Sequence, residues 1–112
     1  MILLDYIANK GLQIPREQNS DPALWSRLRQ AASEVGAEDY FPDVAQPPVI
    51  DDHVPFLEAG VPSIDLIDFS YLYADSAQDT PDKLDPAVLD AVGETVALLV
   101  IDLGQAPPVA GQ

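Results

Sequence analysis

Cysteine is absent from these 112 residues, which excludes both a disulfide framework and a thiolate metal site. Any metal would have to be held by carboxylate or imidazole, and imidazole is scarce, because histidine occurs once, at His53. A single ring limits schemes that need a neutral base together with two imidazole ligands. Basic residues are also few. Lys and Arg total 5 against 19 Asp and Glu, a formal net charge of -14. That charge repels phosphate backbones and anionic lipid surfaces, so nucleic acid and membrane are set aside as partners. No window approaches the roughly 20 uninterrupted apolar residues of a membrane span, and the amino terminus lacks the basic start and apolar run of a secretion signal. The chain is expected to be soluble, and cysteine usage leaves its compartment unknown. There is no Gly-x-Ser-x-Gly elbow, no Gly-rich phosphate loop and no His-Glu-x-x-His helix, which leaves nucleophilic hydrolysis unsupported.

What is present is the balance of a folded protein: 47% hydrophobic and 21% charged residues, in a length suited to one small domain. Residues 1–8 form an apolar run with one acid, Asp5, and read as a buried strand before the turn chemistry of Asn9, Lys10 and Gly11. Asp21 and Pro22 supply an N-cap and first helical residue, and Leu24, Trp25, Leu28, Ala31, Ala32 and Val35 recur at helical spacing until Gly36. Residues 37–48 read as a loop. Residues 51–60 read as a loop leading into a short helical turn, and residues 62–69 as a second buried strand. Asp85 and Pro86 repeat the helix start, and Val88, Leu89, Val92, Val96, Leu99, Val100 and Leu103 mark one face of a long helix ending at Gly104. Residues 105–112, rich in Pro, Gly and Ala, are expected to form a flexible tail to a domain spanning 1–104. Strands alternating with helices imply an α/β fold with a mostly parallel sheet, part of a three-layer α/β/α sandwich. Two strands alone leave hydrogen-bonding edges open, so neighbouring strands from another chain or from a further part of its own are needed, and self-association is expected to complete the sheet.

Chemistry is densest at Asp51-Asp52-His53, beside the apolar Val54-Pro55-Phe56-Leu57. Acids next to imidazole orient a base, hold a cation or fix a proton; the blander alternative is a loop whose carboxylates cap the next turn. Asp5 stands at a strand end, where open α/β sheets commonly face a ligand crevice, or else simply emerges into solvent. Asp65 and Asp68 lie in or just beyond the second strand, where a cap or a helix contact is the more economical role for Asp65. Asp75 sits in the polar loop that follows.

Several segments follow one another in a meaningful order: Leu3-Leu4-Asp5, Ile14-Pro15-Arg16-Glu17, Asn19-Ser20-Asp21-Pro22, Asp51-Asp52-His53-Val54-Pro55-Phe56-Leu57, Gly60-Val61-Pro62 and Asp65-Leu66-Ile67-Asp68-Phe69. This order resembles the zinc-dependent aminopeptidase and glutaminyl cyclase superfamily, the M28-like peptidases, over residues 1–103. The resemblance covers only the C-terminal half of that family's domain, in which zinc at the strand ends activates water or polarises an amide carbonyl. It implies that Asp5 matches a metal ligand of the peptidases or a supporting acid of the cyclases, and that Asp51 matches the family's active-site acid. Asp52, His53 and Asp65 are then structural supports of the site. The family's last ligand is a His within a Trp-His-Thr type segment, and here Ala74-Asp75-Ser76 stands in its place, so Asp75 occupies the imidazole position. An Asp there shifts preference from zinc toward harder cations.

The family's remaining ligands and its Glu-Glu pair belong to the half that these residues do not match. No cofactor is therefore expected for the chain alone, and zinc only for the full-length family. The expected function is that of a truncated or degenerate exopeptidase-like domain without independent peptidase activity, working as a homo-oligomer or a binding fragment. A peptide or an N-terminal half is the alternative partner, the latter restoring an aminopeptidase or glutaminyl cyclase site.

Overall fold

The computed structural model describes residues 1–105; the sequence-based tail, apart from Gln105, lies outside the described residues. The chain is a mixed α/β unit. Strand β1 (Ile2–Asp5) pairs in parallel with β4 (Ile64–Ile67), Ile2 lying opposite Ile64 and Asp5 opposite Ile67. A second parallel pair joins the two-residue strands β2 (Arg16–Glu17) and β3 (Ala45–Gln46). Parallel neighbours require crossover connections, and helix α1 (Pro22–Glu34) lies within the one that links β1 to β4.

α1 begins where the sequence places its start. Asp21 is extended, and its carboxylate accepts from the Leu24 backbone N–H at 2.7 Å, with Pro22 opening the helix. Leu24, Trp25, Leu28, Ala31 and Ala32 bury one face. Gly36, at φ +74, takes the left-handed conformation that ends the helix without a Cβ clash. Helix α3 (Pro86–Gln105) is seeded in the same way, Asp85 Oδ1 accepting from Ala87 N at 3.0 Å. Its buried line is Val88, Val92, Thr95 and Leu99, and it packs against α1. Between them lies the core, with Leu12, Ile14, Phe41, Ile64 and Leu66 closing it and Trp25 meeting Phe41 edge to face at 6.2 Å.

The structure departs from the sequence reading at β1, which is half-buried and not fully buried as the apolar run implies. β1 has a neighbour on one side only, and Leu4 is 43% exposed, whereas all four residues of β4 are buried. The short helix α2 (Val54–Glu58) follows His53 and presents Phe56 outward. No helix among the described residues is long and apolar enough to cross a membrane.

Candidate functional site

A buried polar cluster joins β2, the loop before α1, the start of α2 and β4. Glu17 is fully buried, and its carboxylate accepts from Asn19 N at 3.0 Å, Val49 N at 2.7 Å and Ser20 Oγ at 3.1 Å. His53, also fully buried, places Nε2 3.0 Å from Glu17 Oε1. A carboxylate offers only lone pairs, so the ring hydrogen belongs on Nε2. Nδ1 then faces Asp65 Oδ2 at 3.6 Å, too long for a hydrogen bond. The backbone of Asp65 is anchored by its N–H donating to Ser20 Oγ at 2.9 Å, yet neither of its carboxyl oxygens has a hydrogen-bond partner. Burial, followed by the adjacent carboxyl of Asp51, pushes the Asp65 carboxyl up to about 8. At neutral pH Asp65 is therefore mostly a neutral acid, which removes the penalty of an unpaired buried charge.

The acids named from the sequence gather at the carboxyl end of β1. Burial raises the Asp5 carboxyl above its ordinary range, and the negative charges of Asp51, Asp52 and Asp75 add to the rise. Asp51 Oδ1 accepts from Asp52 N at 2.8 Å, tightening the turn into α2. Tyr6 and Asp75 both hold positive φ, 50° and 55°, an uncommon conformation for non-glycine residues and a strained one for a bulky tyrosine. Burial and the nearby charge of Asp75 raise the Tyr6 phenol. Asp5, Asp51, Asp52 and Asp75 thus share one neighbourhood, whereas His53 and Asp65 lie behind it in the buried cluster.

This neighbourhood does not fit a zinc ion by itself. Among the described residues no three His, Asp or Glu side chains are grouped so as to hold a metal, and the imidazole that is present is spent on Glu17. Sequence reasoning gave no role to Glu17 or Ser20, whose only signal was their place in the ordered segments. It also left open the role of Asp68. That carboxylate clamps the chain by accepting from Asn9 Nδ2 and Gln13 N, each at 3.0 Å, and from Ser70 N at 2.8 Å.

Comparison with known proteins gives a consistent outcome. The family model described as peptidase family M28 matches residues 1–100. A Porphyromonas gingivalis glutaminyl cyclase structure is 34% identical with a TM-score of 0.85, covering 91% of this chain and 41% of its own. One from an Acidobacteriales bacterium is 34% identical with a TM-score of 0.86, covering 93% and 38%. A Zn-dependent exopeptidase from Parabacteroides distasonis is 27% identical with a TM-score of 0.80, covering 89% and 37%. The chain therefore spans only about two fifths of the length of these solved relatives. No curated protein matches it.

Proposed function

We propose, from the premise that this chain belongs to peptidase family M28, that its 112 residues alone carry no peptidase or cyclase activity and act as a binding or assembly piece. The observation that carries this reading is the donor set. Of the positions that the resemblance assigns to metal, these residues offer the carboxylates of Asp5 and Asp75, with Asp75 where an imidazole is expected. Two carboxylates without an ordered third ligand hold zinc poorly. When zinc is bound in the wider family it polarises a carbonyl or activates water. Here the chain's own contribution is a rigid wall: Glu17 and His53 hold the turn that presents Asp51, and β1 presents Asp5.

A second reading is favoured by the gathering of Asp5, Asp51, Asp52 and Asp75 at one strand end beside an open sheet edge. A further chain segment docking on β1 would bring the missing ligands to these acids and assemble an exopeptidase or glutaminyl cyclase site. The first reading is tested by assaying the chain alone, with and without added zinc, for hydrolysis of aminoacyl anilides and cyclisation of N-terminal glutaminyl peptides. No turnover above background is expected. Turnover that is abolished by chelator and by Asp5→Ala would replace the first reading with an autonomous enzyme.

A further inference from the structure

The positive charge of this acidic chain is unevenly placed. Its two lysines, Lys10 and Lys83, are brought face to face. Asn9 and Leu84 form an isolated antiparallel bridge, flanked by hydrogen bonds from Lys10 N to Lys83 O and from Asp85 N to Ala8 O, each 2.9 Å. In that register Lys10 stands opposite Lys83, and like charges directly across an antiparallel pair are unfavourable unless something negative lies between them. Lys83 is held in place, its ammonium 2.9 Å from Asp82 Oδ2 and 4.6 Å from the centre of the Tyr73 ring. Lys10 has no ion pair among the described residues.

Both lysines line a hollow of about 310 Å³, together with Tyr71 and Tyr73, whose rings meet edge to face at 5.7 Å. Asn9 also lines it. Asn9 Nδ2 donates to Asp68 Oδ2 at 3.0 Å and to Lys10 O at 3.3 Å, both acceptors, which fixes the amide orientation and leaves the buried Oδ1 as an acceptor without a donor. Two cations and two aromatic rings in one hollow describe a complement: an anion carrying an apolar side chain. A net charge of -14 opposes multiply charged anions more strongly than a monoanion, which favours carboxylate over phosphate.

We propose that this hollow binds the carboxy-terminal residue of a peptide. Its carboxylate lies between Lys10 and Lys83, and its apolar side chain lies against Tyr71 and Tyr73. The hollow shares no lining residue with Asp5, Asp51, Asp52, Asp65 or Asp75, so the site stands or falls independently of the metal question.

The test is a nitrogen-15 NMR titration of the full chain with N-acetyl-phenylalanine, its uncharged amide and inorganic phosphate. The acid should shift the backbone signals of Lys10, Gly11 and Tyr73, and the amide should bind about tenfold more weakly, since a charge-assisted contact is lost. Lys10→Gln, at an exposed side chain, should weaken the acid roughly fivefold and leave the amide unchanged. Equal binding of acid and amide, equal binding of phosphate, shifts elsewhere, or no saturable shift at millimolar ligand would each overturn the assignment.

Discussion

At the scale of single residues, the buried imidazole is the most consequential group. His53 and Glu17 are both fully buried and meet at 3.0 Å. Truncating His53 therefore removes a donor and a packed ring from beside a buried carboxylate, and truncating Glu17 leaves the ring N–H buried without an acceptor. His53→Ala should lower stability by about 3 kcal/mol in urea unfolding, an effect of the size seen when buried pairs are broken; a loss below about 0.5 kcal/mol would contradict the cluster. Asp65 sets the pH response. Its folded-state value, about 8, lies above its ordinary 3.8, so its contribution to stability is complete below the ordinary value and is lost as pH rises toward 8. Stability should therefore fall between about pH 4 and about pH 8, the interval between the ordinary and the folded-state values. Asp65→Asn should flatten that fall by at least about 1 kcal/mol. An unchanged pH profile in the variant would show that Asp65 ionises freely when folded.

Little of this could be read from the sequence. Asp51-Asp52-His53 was visible as a cluster, but Glu17, distant in the chain, carries no local pattern that marks it as the acceptor for His53. Burial of an acid comes from the tertiary fold, and periodicity does not encode it.

At the scale of elements, the sequence reading succeeds where helices are long. α1 and α3 have an aspartate at the start, proline as the first helical residue and apolar positions at 3.6-residue spacing, so local chemistry and packing agree. β2 and β3 escaped it because two-residue strands have too few positions to show alternation. The apolar run of β1 is the same whether one edge or both are covered, so the sequence alone reads it as buried. Removing the α1 cap with Asp21→Ala should cost about 1 kcal/mol by thermal or chemical unfolding. Gly93, within α3, has open space where a Cβ would stand. Gly93→Ala should accordingly stabilise the chain by about 0.5–1 kcal/mol; destabilisation would mean that something packs on that face.

At the scale of the whole molecule, the paired strands leave β1 with an open edge, and Leu4, Ile50, Phe56, Phe69 and Leu72 are exposed. Edges and apolar surface of this kind favour association, so light scattering at micromolar concentration should give a dimer or larger species. A monomer would remove the reason to expect partners through the sheet. The M28 membership and the α/β architecture were legible from the order of short segments across residues 1–103. Whether these residues alone hold zinc is decided by elemental analysis of the purified chain after exhaustive dialysis. Far less than one zinc per chain is expected; a full equivalent, tightly held, would mean that Asp5, Asp51 and Asp75 form a metal site without a partner.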